Sequence, residues 1–166
     1  MNATVSYLQE LTADPDTTLS NLIVKTSAVA TRFHLPKVVR WCNCELYGYP
    51  LGEAPEYRCV RGRAGIWFQY IGWLPVCSPA ADPVEGSTIC ELRTQVGRLE
   101  QWFTQADSSE AFEVQFPSPS IDGLSGDDEL RSLGIIPTIR VDFTRINAVL
   151  RSIRATIADV CCNLPA

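Results

Sequence analysis

Near the end of the chain, large apolar side chains recur at steps of 3, 4, 3, 4, 3 and 4: Phe143, Ile146, Leu150, Ile153, Ile157, Val160 and Leu164. That spacing is the a/d pattern of a heptad repeat sustained over about three turns of the repeat. It constrains the fold more than any other feature, because each fully buried side chain of this size contributes about 1.5–3 kcal/mol and the stripe cannot be left in water. Two destinations satisfy it. The helix closes the protein's own core, as amphipathic helices of soluble proteins do, or the seam is an interface for self-association or for docking a further component. Arg145, Arg151 and Arg154 lie off the seam and are expected to remain solvated.

The remainder of the chain divides by periodicity. Val5, Leu8 and Leu11 share one face of a short helix over Thr4–Leu11, which ends at the turn signal Asp14-Pro15-Asp16. Thr17 or Thr18 can cap a second helix carrying Leu19, Leu22, Ile23, Thr26, Val29, Ala30 and Phe33. Pro36 suits the first turn of a third helix with Val38, Val39, Trp41, Cys42 and Leu46 on its apolar side, stopped by Gly48. From Tyr57 to Cys77 the texture becomes aromatic and β-branched, which predicts two strands joined across Gly62-Arg63-Ala64-Gly65. Ser87 or Thr88 can cap a predicted helix bearing Ile89, Leu92, Val96, Leu99 and Phe103, with Glu91 available as the capping-box partner of Thr88. Ala111–Phe116 alternates as a strand, 119–133 mixes helix and loop signals, and Ile135–Val141 is extended before the final helix. The expectation is an α+β fold occupying residues 1–166 as one domain, with N-terminal helices, a small, mostly antiparallel sheet and a long C-terminal helix.

Composition narrows the function classes. A chain of 166 residues with 46% hydrophobic and 20% charged side chains can bury a core without disulfide staples. A net charge of −5 argues against wrapping nucleic acid, although a local basic patch is compatible with an acidic average. No apolar run reaches the length of a membrane span, and the N-terminus has no signal-peptide pattern, so the reading is cytoplasmic with no membrane partner. The seven cysteines are then expected to be reduced. Cys42 and Cys44 fall about 200° apart on a helix and cannot chelate together, and no zinc-type spacing exists elsewhere, so neither a metal nor another cofactor is expected. The single histidine, His34, sits where a helix is ending, a position its charge favours.

The residues best suited to chemistry are Arg58, Arg61 and Arg63, beside Tyr57 and Trp67. Arginine forks match phosphate oxygens and aromatic faces stack bases. On a strand, Arg61 and Arg63 point one way and Arg58 the other. A solvated edge strand protected by charge accounts for the same residues. Asp127, Asp128 and Glu129 form an acidic run in a polar segment, and nothing in their spacing converges carboxylates for catalysis.

Trp41, Glu45 and Leu46-Tyr47-Gly48-Tyr49, followed by Ala54-Pro55-Glu56-Tyr57-Arg58, resemble a pattern of the AbiTii domain of prokaryotic abortive-infection proteins. Ala54 stands where that pattern has leucine. The closing segment Ile146–Arg154 is also similar to that domain's last helix. The resemblance implies a part in defence against bacteriophage, as a module working with other defence components, and it supplies no catalytic residue. Gly48 would permit a special backbone conformation and Tyr57-Arg58 would start the first strand. Together these features indicate a non-enzymatic regulatory or oligomerisation module. A nucleotide-sensing domain built on Arg58, Arg61 and Arg63 is the alternative, and a nuclease-type effector is a third reading.

Overall fold

Thr18 opens the second helix as expected, its side chain accepting from the Asn21 amide, but a partner from far along the chain completes the cap. Glu100 accepts from the Leu19 amide at 2.5 Å and from the Ser20 amide at 3.1 Å, placing a carboxylate at a helix N-terminus where the dipole favours it. The computed structural model describes residues 3–68, 70–75, 87–105, 112–115 and 135–164. The segment 119–133, with Asp127, Asp128 and Glu129, lies outside the described residues. The fold is α+β, as the periodicities predict.

The chain forms two compact units. The first comprises Met1–Arg58, Glu91–Gln105 and Ile146–Ala166, and the second Cys59–Cys90 and Ala106–Arg145. In the first lie α1 (Ala3–Ala13), α2 (Leu19–Arg32), α3 (Pro36–Tyr47), α4 (Val96–Gln105) and most of α5 (Phe143–Cys162). Leu8, Leu22, Ile23, Leu99, Ile153 and Ile157 are fully buried there. Arg154, expected in solvent, is half-buried instead. Its guanidinium donates to the carbonyls of Thr12 (3.0 Å), Asp14 (2.9 Å) and Thr17 (2.6 Å), because the turn between α1 and α2 leaves these acceptors without helical partners. His34 adopts a left-handed conformation (φ 56°) just beyond the end of α2 and is exposed. Among the described residues no helix is long and apolar enough to cross a membrane.

The second unit is a five-stranded sheet of β1 (Cys59–Phe68), β2 (Gly72–Pro75), β3 (Ser87–Glu91), β4 (Phe112–Gln115) and β5 (Ile135–Val141). The order is β2-β1-β5-β4, with β3 also paired to β1, and the β1–β2, β1–β5 and β4–β5 pairs are antiparallel. Two expectations are corrected here. Gly62–Gly65 is not a turn: β1 runs through it, and the reversal comes at Phe68↔Gly72, with Gly72 at φ 89°. The two glycines answer to close packing, since a Cβ at Gly62 would strike the Arg140 carbonyl and Ile139, and one at Gly65 the Trp73 ring. Nor does a helix start at Thr88. Residues 87–91 are β3, and helix begins only at Val96, because the backbone at Leu92–Thr94 bonds to distant partners described below.

Candidate functional site

On α3, Glu45 falls three residues after Cys42, on the apolar side of the helix, and both are fully buried. A buried carboxylate requires a cation and further donors. Arg58, 0% exposed, supplies the cation: one terminal nitrogen pairs with Glu45 Oε2 and Nε donates to Oε1 at 3.2 Å. The Tyr49 and Tyr57 hydroxyls donate to the same Oε1 at 2.7 and 2.6 Å, and Trp41 Nε1 donates to Tyr57 at 2.8 Å. The other terminal nitrogen of Arg58 donates to the carbonyls of Leu92 (2.7 Å) and Thr94 (2.6 Å). Its guanidinium also sits 5.1 Å from the centre of the Tyr49 ring.

Backbone bonds close the arrangement. The Leu92 amide donates to the Arg58 carbonyl (2.8 Å), the Tyr49 amide to the Arg93 carbonyl (3.0 Å), and Arg93 Nε to the Tyr49 carbonyl (2.9 Å). These bonds occupy the stretch 92–94 and explain why its helical periodicity is overridden. Gly48, at φ 100°, lets the chain pass beside the Arg93 carbonyl, which a Cβ would approach to 2.9 Å. Tyr57 and Arg58 sit in a short 3₁₀ turn rather than in the first strand, which begins at Cys59.

Burial and the Glu45 carboxylate raise both tyrosine pKa values, that of Tyr57 to about 12, and burial lifts the Cys42 thiol to about 12 as well. The folded state therefore holds these protons more tightly than the unfolded chain. Their contribution to stability is complete below the ordinary thiol and phenol values of about 8.5 and 10 and is lost as pH rises toward 12. Urea midpoints measured between pH 8 and 11.5 should fall steeply above about pH 10, and Tyr57→Phe should flatten that fall.

The arginine cluster expected from sequence is thus divided. Arg58 is withdrawn into the first unit because an unpaired Glu45 could not be buried, and Tyr57 is engaged beside it. Arg61 and Arg63 are exposed on β1, and Trp67 on the same strand is 38% exposed. In their place the sheet brings up two residues the sequence reading left out. Arg140 of β5 stands opposite Arg63, with Glu113 of β4 on its other side in the register, and Trp73 of β2 stands opposite Trp67. The Arg140 guanidinium lies 4.4 Å from the centre of the Trp73 ring. Alternation puts Arg61, Arg63, Gly65 and Trp67 on one sheet face with Trp73, Thr138 and Arg140. The signal for Arg140 was available: it is two residues from Thr138 in a seven-residue strand, so both side chains share a face.

The seam set aside as an interface is also placed. Ile146, Leu150, Ile153, Ile157 and Leu164 are buried within the chain itself, and Phe143 and Val160 are half-buried. Burial of these five in the chain's own core is the first of the two destinations open to the stripe.

The residues that define the sequence pattern, Trp41, Glu45, Gly48, Tyr49, Tyr57 and Arg58, therefore converge in space as one buried polar network. Consistent with this, the AbiTii family model matches residues 3–165. The chain belongs to the AbiTii family. No curated protein and no solved structure matches it. In this AbiTii chain, the part of the pattern most easily recognised in sequence is a buried ion pair with its hydrogen-bond partners. Family membership points to a role in abortive infection as an antiphage defence.

Proposed function

We propose that this AbiTii chain is a non-enzymatic regulatory module of antiphage defence, and that its sheet face reads a phosphate-bearing ligand. The observation that carries the reading is Arg63 directly opposite Arg140, with Arg61 two residues along the same strand face. Like charges paired across two strands destabilise a sheet unless something neutralises them. An anion with several oxygens is the ligand chemistry that facing guanidinium groups suit. Trp67 adds an aromatic surface beside the arginines. Calorimetric titration of ATP and of inorganic tripolyphosphate into the full chain tests this. Both should bind, more weakly as salt rises, and Arg61→Ala/Arg63→Ala should lower the affinity at least about tenfold, the equivalent of 1.4 kcal/mol. Identical heats for wild type and the double variant would remove the reading.

Docking of another defence component is a second reading, favoured by the hairpin between β1 and β2. Tyr70 there is 93% exposed, and Ile71 and Leu74 beside it are also in solvent. Neighbouring exposed apolar side chains of this kind mark contact surfaces.

A further inference from the structure

At Gly65 three features coincide that a sheet would ordinarily avoid. A glycine occupies the interior of a strand, where it weakens pairing unless something must approach closely. The Trp73 ring fills the space its Cβ would take, with the Arg140 guanidinium stacked 4.4 Å from the ring centre. Among the described residues, two buried polar atoms at the same place have no hydrogen-bond partner: Trp73 Nε1 and the hydroxyl oxygen of Thr138. Thr138 is the register partner of Gly65, lies on the same face and is 4% exposed. Leaving such groups unsatisfied is costly, and their occurrence in a native fold calls for an explanation.

We infer that this slot is the base subsite of the phosphate-reading face, that its ligand is a purine nucleotide, and that the Trp73 indole occupies the slot until the nucleotide displaces it. An indole and a purine are both flat fused bicycles of a six- and a five-membered ring. Only the purine carries acceptors around its edge, which the Thr138 hydroxyl can meet. The Gly65 backbone forms one wall, and the Arg140 guanidinium stacks on the ring as it does on the indole. Displacement returns Trp73 Nε1 to water. Alternate residues on a strand are about 6.6–6.8 Å apart, which puts Arg63 and Arg61 in sequence along the path of a di- or triphosphate. The inference rests on the reading of the arginine face given above.

The experiment compares ATP, GTP, UTP and inorganic tripolyphosphate on the full chain, by calorimetry and by tryptophan fluorescence. The expected result is that at least one purine nucleotide binds about tenfold or more tighter than UTP and tripolyphosphate. Its binding should red-shift the emission as the Trp73 indole enters water, and Trp73→Phe should abolish that shift. Thr138→Val, which keeps the side-chain shape, should weaken the purine about tenfold and leave tripolyphosphate unchanged. Its melting temperature should not fall, since an unsatisfied hydroxyl has been removed. Purines no tighter than tripolyphosphate, or an unchanged purine affinity in Thr138→Val, would overturn the base subsite. Dependence of tripolyphosphate binding on Arg61 and Arg63 would still uphold the arginine face in that case. If no nucleotide and no tripolyphosphate binds, both readings fall together.

Discussion

Arg58→Met should destabilise the chain by about 3–5 kcal/mol in urea unfolding, the range found when one member of a buried ion pair is removed. The substitution keeps most of the volume but removes the cation paired with the buried Glu45 carboxylate, and it withdraws the donors from the Leu92 and Thr94 carbonyls. Against a total stability of about 5–15 kcal/mol for a native protein, this is a large loss. Glu45→Leu should cost a similar amount, since it strands a fully buried guanidinium. The double variant Glu45→Leu/Arg58→Met should be less damaging than the two single losses added, because no charge is then left buried without its partner. Strict additivity would mean that the pair is not coupled, and a single-variant loss below about 1 kcal/mol would mean that the network does not hold the fold.

Ile153→Asp should abolish folding at any protein concentration. Ile153 is 0% exposed on α5, so the variant drives a carboxylate into a buried apolar position. The expected loss exceeds about 4 kcal/mol, in the range reserved for buried unpaired charge. Circular dichroism and sedimentation across a hundredfold concentration range are the measurements. A variant with native circular dichroism whose only defect is loss of self-association would return the seam to an intermolecular interface and contradict its place in the core.

The helices α2, α3 and α5 were legible because their signals are local. Thr18, Pro36 and Gly48 punctuate them, and apolar periodicity carries the rest. The stretch 88–95 was misread because its apolar spacing is genuinely helical, while its backbone is claimed by Arg58 and Tyr49 from elsewhere in the chain. Tertiary demands of that kind have no trace within a local window. Gly62 and Gly65 misled for a related reason. In sequence a glycine marks a turn, but here each makes room for a neighbour, Ile139 in one case and Trp73 in the other.

The candidate site was half legible. Arg61, Arg63 and Trp67 belong to one strand, so their common face follows from alternation alone. Arg140 and Trp73 join them only through register, which neither strand's own sequence states. Glu45 did leave a signal: a carboxylate three residues from Cys42, in line with the apolar side of α3, is a charge that must find a partner indoors.

The tie between Arg58 and Leu92–Thr94 bears on how this architecture tolerates change. The chain leaves the helical unit after Arg58 and re-enters it at Glu91, and the Leu92 amide and Arg58 guanidinium fasten those two ends to each other. Once departure and return are clasped, lengthening the excursion between them adds only a logarithmic closure cost, about 0.6 kcal/mol for each doubling. The clasp is therefore a graft point, at which segments of different length and chemistry can be spliced while the helices that receive them keep their packing.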